Sequence, residues 1–183
     1  VTADPKQSLQ LQGDLYYGDQ FSWDLAATLV SFQLPSAVSP LAGELSGSFQ
    51  VEGFYADGSW RLALPRSLLQ GEINQRQATI SGNFQLDHEL QSDGSDLDIR
   101  VGTDRIRLFD PPEALPQARF AINDLEHWLE GGSGSVEGSL VWDRVGSELS
   151  MDARSAGLAW GVLRTGELFA SGSLNSRSGI AGQ

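Results

Sequence analysis

Apolar side chains in this chain recur at every second position, in short runs broken by Gly, Asp and Pro. That period admits a strand with one apolar and one polar face and excludes an amphipathic helix, whose apolar residues return every three or four positions. Leu9, Leu11, Leu15 and Tyr17 alternate with polar partners, Gly18-Asp19 supplies a turn, and Phe21, Trp23, Leu25, Ala27 and Leu29 alternate against Ser22, Asp24 and Thr28. This is a hairpin with one apolar face. Leu45, Phe49 and Val51, a turn over 55–58, then Trp60, Leu62 and Leu64 make a second. Further strands are predicted at Leu69 to Ile73, at Ile80, Phe84 and Leu86, at Leu97, Ile99 and Val101, and at Ile106 and Leu108. After Pro111, Pro112 and Pro116 they resume at Phe120 and Ile122, at Val136, Leu140 and Trp142, at Leu149 and Met151, at Leu158, Trp160 and Val162, and from Leu168 to Leu174.

About a dozen strands joined by short sequential turns predict an all-β fold, a long curved antiparallel meander. Helix is confined to one or two short turns, at Pro35 to Ser39 and at Leu125 to Leu129, the second with Asp124 as N-cap. Gly13, Gly47, Gly53, Gly71, Gly82 and Gly138 fall inside strand patterns, where glycine permits a bulge or bend. Curvature turns the apolar residues inward, onto either an open trough or the filled core of a sandwich; the pattern alone allows both.

The chain also repeats itself. Leu34, Val38, Gly43, Leu45, Gly47 and Phe49 fall on Leu125, Leu129, Gly134, Val136, Gly138 and Leu140 at an offset of 91, and Trp60, Leu62, Leu69 and Ile73 fall on Leu149, Met151, Leu158 and Val162 at 89. The expectation is one elongated segment over 1–183, part of a larger protein, with copies of a unit over roughly 31–86 and 122–175. Val1 to Pro5 and Ser176 to Gln183 read as ragged, polar ends.

Composition narrows the function. A chain 40% hydrophobic can offset its ordering entropy, so disorder is excluded. A net charge of −12, with 12 basic residues read as scattered, argues against nucleic acid. Without cysteine there is no disulfide, thiol nucleophile or Cys-based metal site. No run approaches the ~18 apolar residues of a membrane span, and any export signal lies outside these residues. His88 and His127 are far apart in sequence, and the acids Asp87, Glu89, Asp93, Asp96 and Asp98 miss the calcium-loop order, with Ser92 at its required glycine. The glycine-rich stretch 132–138 leads into a strand and so offers a phosphate no helix N-terminus. The expectation is no metal, no cofactor and no enzyme. Of the five tryptophans, Trp23, Trp60, Trp142 and Trp160 share strand phases with aliphatic neighbours, which favours wall residues over sugar platforms, and Trp128 reads as a helix-to-sheet contact.

The succession Trp23-Asp24-Leu25 through Phe32, Leu34-Pro35, Gly43-Glu44-Leu45-Ser46-Gly47, Gly58-Ser59-Trp60-Arg61-Leu62, Leu69-Gln70-Gly71-Glu72-Ile73 and Ala78-Thr79-Ile80-Ser81-Gly82 resembles the repeat region of the TamB family, within the AsmA-like bridge-type lipid-transfer proteins. Asn123-Asp124-Leu125 to Trp142 and Gly157-Leu158-Ala159-Trp160 to Leu174 resemble the next unit. The resemblance implies a taco-like half-pipe in the periplasm, part of an inner-membrane-anchored protein that spans the envelope. Its apolar groove would carry phospholipid acyl chains, with flanking segments of the same chain as neighbours and a TamA-type outer-membrane barrel met through regions outside these residues. On that reading the inward apolar residues named above, from Leu25 to Val162, line the lipid groove. Two alternatives stand beside it: a scaffold or chaperone for outer-membrane protein assembly, and a carbohydrate-binding β-sandwich.

Overall fold

The structure, a computed structural model, describes residues 7–34, 42–89, 94–110, 115–143, 148–175 and 179–182. The chain divides into two compact units, Val1–Val101 and Gly102–Gln183. Each expected repeat copy falls within one of them. The first unit is a six-stranded meander: β1 Ser8–Tyr17, β2 Phe21–Gln33, β3 Gly43–Ala56, β4 Ser59–Ile73, β5 Arg76–Asp87 and β6 Asp96–Val101, each antiparallel to the next. The second unit contains β7 Asp104–Phe109, β8 Gln117–Ile122, a 3₁₀ turn over Leu125–His127, β9 Gly132–Asp143, β10 Glu148–Trp160, β11 Leu163–Thr165, β12 Leu168–Asn175 and β13 Gly179–Gly182. Its spatial order is β7-β8-β9-β10-β12-β13, with β11 pairing on the last three residues of β10, Leu158 to Trp160.

Neighbours in space are neighbours in sequence, except that β12 pairs with β10 past the short β11. The Greek-key crossovers that a sandwich requires are absent from the described residues of both units, which removes the carbohydrate-binding sandwich on topology. Tight turns enforce the meander. Asp57-Gly58 (φ 46° and 84°) and Asn74-Gln75 (φ 50° and 63°) both take left-handed backbone at two residues, the hairpin geometry whose twist matches the strands it joins. The helical turn at 125 forms as expected: the Asp124 side chain accepts from the Glu126 amide at 3.2 Å. The turn expected over 35–39 lies outside the described residues. No helix among the described residues is long and apolar enough to cross a membrane.

Three strands are longer than their alternation predicts, because each carries an extra residue. In β4 the pairing slips between Leu64 and Ser67, around Pro65-Arg66, so two expected strands are one strand of 15 residues. In β10 it slips between Arg154 and Gly157, joining the Leu149 and Leu158 strands into one of 13. In β2 it slips between Leu29 and Phe32, where Ser31 takes φ 49° and its amide donates to Ser46 Oγ at 2.9 Å. An odd insertion flips side-chain phase, so a bulge is what returns the apolar residues on both sides of it to one face. Glycine does complementary work. At Gly47 (φ 144°) a Cβ would stand 2.1 Å from the Leu68 carbonyl oxygen, and at Gly82 (φ 122°) 2.0 Å from that of Asp96. Neither approach tolerates a side chain, and both glycines sit on the apolar face, where the missing side chain lets the strand bend.

Candidate functional site: the apolar strand face

Residues directly opposite in an antiparallel pair share a face. Across the first unit, register links Leu25 to Val51, Leu29 to Gly47, Gly47 to Leu69 and Leu69 to Ile80 and then Ile99. It likewise links Leu45 through Gly71 to Ala78 and Val101, Leu62 to Leu86, Leu64 to Phe84, and Phe49 through Ser67 and Gly82 to Leu97. Trp60 faces Tyr55, and Ile73 faces Gly43. Every groove residue predicted in this unit therefore lies on one strand face. Leu9, Leu11, Leu15 and Trp23, although not assigned to the groove, share it through Leu29, Ala27 and the Leu15–Trp23 pair.

The second unit repeats the arrangement. Ile106 pairs with Phe120 and Leu108 with Ala118; Ala118 continues to Leu140 and Met151, Ile122 to Val136, and Trp142 to Leu149 and Leu174. Past the bulge, Leu158 and Trp160 rejoin this face opposite Gly134 and Gly132. Val162 does not. It stands in the turn between β10 and β11, 98% exposed, because β10 ends at Trp160 and Gly161 (φ 58°) reverses the chain.

Among the described residues, nothing within either sheet fully seals these faces. The buried apolar side chains include the small Ala27, Ala63, Ala78 and Ala118, with Leu45, Ile73, Leu97, Val101 and Ile122. Leu25, Phe49, Trp60, Leu64, Phe84, Ile99, Leu140 and Trp142 are only half-buried, while Leu62 (37%) and Met151 (40%) are exposed. Among the described residues the one large side chain under 2% exposed is polar: Asp104, which accepts from the Asn123 amide and from Trp128 Nε1, both at 2.7 Å. That bond is the helix-to-sheet contact expected of Trp128.

The opposite face of the first unit is a polar lattice. Gln50 donates to Asp24 at 2.9 Å and to Glu52 at 2.8 Å, Gln33 to Glu44 at 2.9 Å, and Arg61 to Gln85 at 2.5 Å. In the second unit the polar face instead holds a cavity of about 890 Å³ whose lining includes Arg105, Arg107, Arg119 and Arg154. This corrects the reading of the basic residues as scattered: four of the 12 meet here. Their period-two spacing at 105 and 107 was legible, whereas the convergence of 119 and 154 needed the strand register.

Groups of histidine and carboxylate placed to hold a metal are absent from the described residues. His127 Nδ1 lies 3.6 Å from Asp124, and Asp98 pairs with Arg100 at 2.7 Å. Asp93 lies outside the described residues.

No curated protein and no solved structure matches the chain. The family model described as TamB, N-terminal domain, matches residues 3–183. A match over nearly the whole chain, on a meander with one continuous apolar face in each unit, means that the chain belongs to the TamB family of cell-envelope proteins.

Proposed function

We propose that the apolar strand face of each unit carries phospholipid acyl chains, as a periplasmic segment of a protein anchored in the inner membrane that moves lipid between the two membranes of a diderm envelope. The observation that carries this reading is an apolar face left uncovered among the described residues: large aliphatic and aromatic side chains stay half-buried or exposed over six consecutive strands of the first unit and recur in the second. Contiguous exposed apolar surface of that extent marks a binding surface in a water-soluble protein. Acyl chains suit it, since a long, featureless apolar strip offers dispersion contact and no hydrogen bonds to a ligand. The reading involves no bond-making step and no catalytic group, cofactor or metal.

Native mass spectrometry of the gently purified protein, followed by lipid extraction, tests the reading. Co-purifying phospholipid lost on delipidation supports it; protein free of lipid that also fails to take up phospholipid on mixing contradicts it.

A second reading rests on a different observation. Among the described residues β1 pairs only with β2, and Leu9, Leu11 and Leu15 are exposed along it. Such an edge could accept a client strand by β-augmentation, the behaviour of a scaffold for outer-membrane protein assembly beside a TamA-type barrel. Crosslinking from β1 to a client strand, with no lipid on the apolar face, would favour it.

A further inference from the structure

The cavity on the polar face of the second unit lies on the far side of the strands from the apolar surface, and its argument does not rest on the lipid reading. Strands β7 to β10 and β12 contribute its walls. Arg107 stands directly opposite Arg119 across β7 and β8, an arrangement of like charges that weakens a strand pair. Both guanidinium groups lie against one ring, Arg107 at 4.9 Å and Arg119 at 5.1 Å from the centroid of Phe109. One strand pair away, Arg154 donates to Glu137 at 2.7 Å. The lining brings together four guanidinium groups and the carboxylates of Glu137 and Asp152, in a chain of net charge −12.

We propose that this cavity binds a phosphate-bearing anion, with Arg107 and Arg119 holding the phosphate oxygens and Phe109 and Phe169 contacting the less polar remainder of the ligand. The guanidinium fork presents paired N–H donors at the spacing of phosphate oxygens. A volume near 890 Å³ exceeds what one oxyanion fills and falls in the range of small organic ligands. Two sources share this chemistry: a soluble phosphate compound and a lipid headgroup at a bilayer surface.

Two arms separate them. Calorimetric titration uses inorganic pyrophosphate; co-flotation compares phosphatidylcholine vesicles with vesicles that also contain phosphatidylglycerol. Saturable pyrophosphate binding assigns the soluble source, flotation with the phosphatidylglycerol vesicles alone assigns the headgroup, and either supports the site. The R107Q/R119Q variant should weaken whichever binding is seen by roughly tenfold or more. R76Q/R100Q, with the same change of charge in the first unit, should leave it unaltered. If R107Q/R119Q does not fold, the side-chain Nε–H resonances of Arg107 and Arg119 in the unaltered protein should shift on titration and saturate. Absence of binding in both arms, equal weakening by the two variants, or resonances that stay fixed while binding occurs would overturn the proposal.

Discussion

The two units carry the same apolar face and different polar ones. In the first, amides and carboxylates lock to each other, as Gln50 does to Asp24 and Glu52. In the second, arginines converge on a cavity beside Phe109. The backbone devices that serve the apolar face are common to both: a glycine strand, with Gly47 in β3 and Gly138 in β9, and a neighbouring bulged strand, β4 or β10. The bulges sit at corresponding places, at Pro65-Arg66 and at Ser155-Ala156, about the offset at which the sequence repeats. What the units share is the machinery that keeps one face apolar and bent. What they do not share is free to differ in purpose, which is why lipid contact is assigned to the apolar face and anion binding to the second unit alone.

The largest expected effect comes from the shared glycines. Gly47→Val in the first unit forces a side chain into the Leu68 carbonyl at φ 144° and should cost on the order of 3 kcal/mol or more. Gly138→Val in the second meets the Asp152 carbonyl oxygen at 2.2 Å and Phe120 Cζ at 2.7 Å, and should cost a similar amount. Denaturant unfolding of both measures this; a mild effect in one unit alone would break the parallel. Next is Asp104→Ala, which leaves the Asn123 amide and Trp128 Nε1 without their acceptor and should cost about 3 kcal/mol. Hydrogen exchange should then rise in the second unit while first-unit amides stay protected, which sharpens the boundary at 101/102. The smallest effect belongs to Phe84→Asp and Leu140→Asp. In a sealed core each charge would cost several kcal/mol, whereas on a face open to water each should cost about 1–2 kcal/mol. Melting temperatures that collapse in either variant would mean a filled core in that unit.

Most of this was legible in the alternation of residues. One continuous face per unit follows from counting by twos between turns, and Asp124 before Leu125 announced the 3₁₀ turn. The bulges were not legible: Trp60, Leu62 and Leu64 occupy even positions and Leu69 and Ile73 odd ones, so a change of phase read as a new strand. Only the pairing of both halves with the same neighbours shows that Pro65-Arg66 is an insertion within one strand. Val162 was misassigned for a related reason, since its period continued past the point where Gly161 turns the chain. β13 at Gly179–Gly182 was missed because its sequence, Gly-Ile-Ala-Gly, carries little strand signal and pairs through its backbone with β12. The arginine cavity depends on residues from strands distant in sequence, and no local pattern could assemble it.

Site-specific photocrosslinking of neighbouring residues tests the central claim most directly, because adjacent residues in a strand point to opposite faces. A photoreactive side chain is placed at Phe84 or Leu140 on the apolar face, and at Gln85 or Val141 one residue away on the opposite face and outside the arginine cavity, in the full-length protein in cells. Phospholipid adducts are expected from positions 84 and 140 and none from 85 and 141. Equal crosslinking from both faces, or lipid adducts from neither apolar position, would contradict it.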